Sequence, residues 1–136
     1  MAKNVKRANT KRFAGVPHAV MENRSYIGLS FSARSLLFEI AKQYNGYNNV
    51  KLCAIPDQLI SRGFKAATTV YSAAKELVNA ELLVVSKVSP KGSRKPHYYA
   101  LTWEAVDEIQ KFNMDIDPTK TPLRKFSIDN GLKHAA

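Results

Sequence analysis

The feature that most restricts the fold of this chain is a change of period near its middle. From Pro56 to Ala80 apolar residues recur at helical spacing, and from Leu82 to Val88 they crowd into a short run rich in Val and Leu. The helical stretch is itself divided. A short helix is predicted from Pro56, in a first turn where its missing N–H does no harm, to about Arg62. Gly63 and Phe64 then form a tight turn. A longer helix follows over roughly Ala66 to Ala80, with Ala66, Val70, Ala73, Ala74, Leu77 and Val78 as its core stripe. Its other face carries Lys65, Thr68, Thr69, Ser72 and Lys75, with Tyr71 and Glu76 at the margins. Beyond it, Leu82 to Val88 and His97 to Leu101 read as two strands of a hairpin, joined by a basic tip from Pro90 to Pro96 that contains Gly92.

Upstream, Ser30 is a good N-cap because its hydroxyl can accept a free backbone N–H. Ala33, Leu36, Leu37, Ile40, Ala41 and Tyr44 continue at helical spacing, and Gly46 stands where a helix would end. Lys51 to Ala54 is expected to form a short strand. Residues 13–29 hold Phe13, Val16, Val20, Met21, Tyr26, Ile27 and Leu29. They are too apolar for a free tail and should lie across the domain, with one helical turn near Val20. Downstream, Thr102 is placed to cap a fourth helix from Trp103 to about Asn113, whose early acids Glu104, Asp107 and Glu108 favour a helix N-terminus. The expected organisation is a flexible basic arm over 1–12, a domain over 13–113 closed by that helix, and a loosely structured tail over 114–136.

Charge bears on partners. The 136 residues carry a formal net charge of +10, while 45% are hydrophobic, enough for a real core. That much positive charge is not needed for folding and points to a polyanion: DNA, RNA or an anionic membrane surface. No stretch approaches the roughly 20 apolar residues of a membrane span. No signal-peptide run follows the charged N-terminus, and the single cysteine, Cys53, suits a reducing compartment. The chain is therefore expected in the cytoplasm.

The order helix, short strand, short helix, tight turn, helix, strand, basic tip, strand is that of a winged helix-turn-helix, an α+β fold that is mostly α with a small β-hairpin. In that motif the helix after the turn enters the DNA major groove. On this reading Lys65, Thr68, Thr69, Ser72 and Lys75 face the groove. Thr68, Thr69 and Ser72 would supply most base contacts, and Lys65 and Lys75 would fix register; a merely solvated face has the same composition. Lys87, Lys91, Arg94 and Lys95 on the wing would meet phosphates, although basic hairpin tips also occur without a ligand. Lys3, Lys6, Arg7, Lys11 and Arg12 of the arm would follow a phosphate backbone or serve only solubility. Residues 103–119 carry five acids against Lys111, a net of −4, and should avoid phosphates.

Val16-Pro17-His18-Ala19-Val20-Met21, Leu29-Ser30, Ser32-Ala33-Arg34, Leu36-Leu37, Tyr44-Asn45-Gly46 and Asn48-Asn49 resemble small winged-helix proteins of bacterial mobile elements and prophages. With the helix-turn-helix and basic hairpin, the resemblance covers about residues 13–102. It implies DNA binding more than a named role. Two positions depart from the pattern: Val50 and Glu81 both stand where glycine is expected.

Chemistry finds little support. His18, His97 and His134 are scattered, without metal-ligand spacing, and Cys53 reads as a small core residue. There is no glycine-rich phosphate loop, and Asp115 and Asp117 are a lone acid pair before Pro118. No catalytic residue, metal or cofactor is expected, nor any small-molecule substrate. The function read from the sequence is a transcriptional regulator that binds double-stranded DNA, as a homodimer, in the bacterial nucleoid. Replication initiation or excision control for a mobile element is the alternative within DNA binding. An RNA-binding or protein-interaction module, with Tyr98 and Tyr99 as stacking candidates, is the alternative outside it.

Overall fold

The computed structural model describes residues 12–93 and 95–127. They form an α+β fold with five helices and a three-stranded antiparallel sheet. The helices are α1 (His18–Met21), α2 (Arg24–Ile27), α3 (Phe31–Ala41), α4 (Pro56–Ile60) and α5 (Ala67–Asn79). The strands are β1 (Leu52–Cys53), β2 (Leu83–Lys87) and β3 (Tyr98–Leu101), in spatial order β1-β3-β2.

Local signals account for most boundaries. Ser30 accepts the Ala33 N–H at 3.2 Å and so caps α3. Glu76 on α5 clasps that cap, accepting from the Ser30 backbone N–H at 2.7 Å and from its hydroxyl at 2.8 Å. The apolar face of α3 is buried as its spacing predicts, through Ala33, Leu36, Leu37, Ile40 and Ala41. The helix stops at Ala41, before Gly46, which takes φ +97 in the turn beyond it. Pro56 opens α4 in its first turn, and Gly63 at φ +114 makes the break before α5. The segment over 13–29 lies across the domain as two short helices rather than one turn, with Val20 and Tyr26 buried.

The sheet has two covered faces. Leu52, Leu83, Tyr99 and Leu101 join Leu36, Leu37, Ile40, Val70 and Leu77 in the main core between sheet and helices. Val50, Ala100 and Val106 form a second, smaller core, against which Val84, Ile109, Phe112, Met114 and Ile116 pack. The free edge of β1 is closed by a side chain. Gln43 donates to the Cys53 carbonyl at 2.7 Å and accepts the Cys53 N–H at 3.0 Å, as a neighbouring strand would.

The fourth helix expected from Trp103 to Asn113 does not form. That segment is irregular and lies over the outer face of the sheet. The backbone groups a helix would pair internally are taken from outside. Asn49 donates to the Glu104 and Ala105 carbonyls, and its own carbonyl accepts the Asp107 N–H. The Val106 N–H goes to the Thr119 hydroxyl, and Lys111 sits at φ +66. Thr102, expected as the cap, donates instead to the carbonyls of Glu81 and Leu82. The three-residue spacing of Val106, Ile109 and Phe112 that suggests a helix serves an extended cover. Residues 114–127 lack regular structure yet are tied down. Arg124 donates to the Ala80 carbonyl at 2.9 Å, to the Ser25 hydroxyl at 2.8 Å and to the Asn23 side chain at 3.1 Å.

Candidate functional site

The exposed side of α5 can be built from its spacing. Thr68, Ser72 and Lys75, four and then three residues apart, fall along one line of the helix surface, and all three are exposed. Thr69 lies to one side of that line and is half-buried. Lys65 is exposed but precedes the helix, since Ala66 occupies the N-cap position with no side-chain cap bond. What holds this face outward is the opposite stripe of Val70, Ala73, Ala74 and Leu77, buried against α3 and the sheet.

The hairpin tip is shaped by its own backbone. Gly92 takes φ +81, Ser93 N–H reaches the Pro90 carbonyl at 2.9 Å, and Lys95 N–H reaches the Ser93 hydroxyl at 3.0 Å. At the base, Ser89 N–H donates to His97 Nδ1 at 2.9 Å, so this ring nitrogen acts as an acceptor. Lys91 and Lys95 are exposed. Lys87 is not with them. A bulge between Val85 and Lys87 breaks the alternation of β2 and turns Lys87 to the outer face, 5.1 Å from the Phe112 ring centroid. Lys51 approaches the same ring at 5.2 Å. Arg12 lines a separate hollow with Tyr44, Trp103 and Glu104. Lys3, Lys6, Arg7, Lys11 and Arg94 lie outside the described residues.

Between α5 and the hairpin runs a groove of about 480 Å³, and among the described residues no carboxylate lines it. Tyr71 stands at its rim and is 62% exposed. Its spacing, three residues after Thr68 and four before Lys75, sets it beside the exposed line of the helix. Tyr98 and Tyr99, candidates for stacking on unpaired bases, are occupied by packing. Tyr98 meets Phe112 edge to face at 5.1 Å, and Tyr99 is in the main core.

Groups that would mark a reaction centre are otherwise engaged. Burial raises the Cys53 thiol above its ordinary pKa, which disfavours the nucleophilic thiolate. Asp107 accepts the Asn49 N–H at 2.8 Å, and Asp115 accepts the Val88 N–H at 2.7 Å. Among the described residues, no three His, Cys, Asp or Glu side chains are grouped to hold a metal ion, and no helix is long and apolar enough to cross a membrane. Comparison with protein-family models, curated proteins and solved structures found no match to this chain.

Proposed function

We propose that the chain is a winged helix-turn-helix protein that binds duplex DNA, acts as a transcriptional regulator in the bacterial cytoplasm and performs no chemistry of its own. One observation carries the reading. The pair α4 and α5, joined through Gly63, presents Thr68, Ser72 and Lys75 on one exposed line beside a hairpin tip bearing Lys91 and Lys95. Helix α5 then reads the major groove with the two hydroxyls, while Lys65 and Lys75 set its register on the phosphates. Lys91 and Lys95 neutralise the flanking backbone. Lys87, held at Phe112 on the other face of the sheet, is left out of this set. A homodimer doubles the few base pairs that one such module reads.

The test is binding to random-sequence duplex DNA across a salt series, with single-stranded RNA as control. Four lysine–phosphate contacts give an expected slope of log K against log salt of roughly −4, with duplex DNA preferred. Absence of duplex binding at low salt ends this reading.

A further inference from the structure

The groove between α5 and the hairpin has a rim and a floor of different chemistry. Val70, Ala74 and Tyr99 are buried at its floor, whereas Tyr71, Ser93 and Lys95 are exposed at its rim. Core packing does not account for the Tyr71 ring, which is 62% exposed. A sugar–phosphate backbone has the complementary parts: apolar sugar carbons beside an anionic, acceptor-rich phosphate. Two elements that hold a duplex from the same side, one in a groove and one beyond its edge, leave one strand's backbone passing between them.

We propose that this groove seats a single phosphodiester of that strand. Lys95 pairs with its charge, the Tyr71 and Ser93 hydroxyls donate to its oxygens, and the Tyr71 ring lies against the adjoining sugar. The inference rests on the reading of α5 and the hairpin as duplex-binding elements. It adds Tyr71 as a positioning residue that sets how deep the helix sits.

The experiment compares duplex affinity and salt slope for the unaltered chain, Tyr71→Phe, Tyr71→Ala, Lys95→Gln and the Tyr71→Ala/Lys95→Gln pair. Lys95→Gln is expected to weaken binding about 10-fold at low salt and to make the slope shallower by about 1. Tyr71→Ala should cost about 10-fold and Tyr71→Phe about 3-fold, the hydroxyl's share. Because both residues hold one phosphate, the double variant should lose less than the product of the single losses. Lys75→Gln combined with Lys95→Gln, on separate phosphates, should be multiplicative. Should Tyr71→Ala lower the melting temperature, Tyr71→Phe, which keeps the ring, carries the comparison. Unchanged affinity for both Tyr71 variants, or strictly multiplicative losses for the Tyr71 and Lys95 pair, overturns the groove assignment alone. No duplex binding by the unaltered chain overturns it together with the proposed function.

Discussion

Glu81 sits at φ +60, a left-handed conformation that costs a residue with a Cβ about 1 kcal/mol. Surrounding bonds hold it there. Its carbonyl accepts from the Thr102 hydroxyl at 2.8 Å and from Arg124 at 3.2 Å. Glycine would take this backbone conformation without that cost. Glu81→Gly should stabilise the protein by about 0.5–1 kcal/mol, read from the urea midpoint. Asn49 works in the opposite sense. It is fully buried, accepts the Leu101 N–H at 2.7 Å and donates to Leu101 and Ala105 carbonyls at 3.0 and 2.9 Å. Asn49→Ala strands these buried partners and should cost about 3 kcal/mol in the same measurement. A loss under about 1 kcal/mol would mean that water replaces the side chain.

At the scale of elements, the last part of the chain holds others together. Arg124 bridges the carbonyls that end α5 and the Asn23 cap that begins α2, and its guanidinium lies 4.4 Å from the Phe126 ring centroid. Arg124→Ala should lower stability by about 2 kcal/mol, and Arg124→Lys should recover little of it, since one ammonium cannot span both sites. Full recovery with lysine would show that charge, not the planar fork, matters. The same segment of chain explains why the expected helix after Thr102 is absent. The outer face of the sheet exposes Val84 and Ala100, and a chain that covers them leaves less apolar surface wet than a helix standing free. The strong amphipathic stripe of α5 and the capped stripe of α3 were legible because each helix buries the face its own spacing defines. The 103–118 pattern was ambiguous because three-residue spacing also suits a strap whose partners lie elsewhere.

Across the whole molecule, the strap and α5 pack on opposite sides of the sheet: Val106, Ile109 and Phe112 belong to the outer cluster, whereas Val70 and Leu77 of α5 belong to the main core. Two of the proposed contacts, Lys91 and Lys95, are exposed together on the hairpin tip. Behaviour at high pH follows from two tyrosines. Tyr44 is raised above its usual 10.0, first by burial and then by the negative charges of Glu104 and Asp107. Tyr99 is raised as well, mainly by burial. Above about pH 10 the unfolded chain has released these protons while the folded chain retains them, so stability falls as pH rises from there towards the folded values. Melting temperatures between pH 9 and 11.5 should drop, and Tyr44→Phe should flatten the drop. An equally steep fall in that variant would place the linkage elsewhere.

Single-chain periodicity and turn chemistry by themselves determined where α3, α4 and α5 lie, that a hairpin follows, and that Lys65, Thr68, Thr69, Ser72 and Lys75 stand opposite the core stripe of α5; the structure narrowed that face to the exposed line of Thr68, Ser72 and Lys75. Each depends on near neighbours in the chain: caps, a proline in a first turn, glycine at φ +114 and a stripe repeating within one helix. Only the tertiary structure decided what lies on the outer face of the sheet, that Lys87 leaves the basic tip for Phe112, and that Tyr71 borders a groove between α5 and the hairpin. These depend on groups far apart in sequence. Asn49 reaches across 52 residues to Leu101 and Arg124 across 101 to Asn23, and no local pattern encodes which distant partner satisfies a buried polar group.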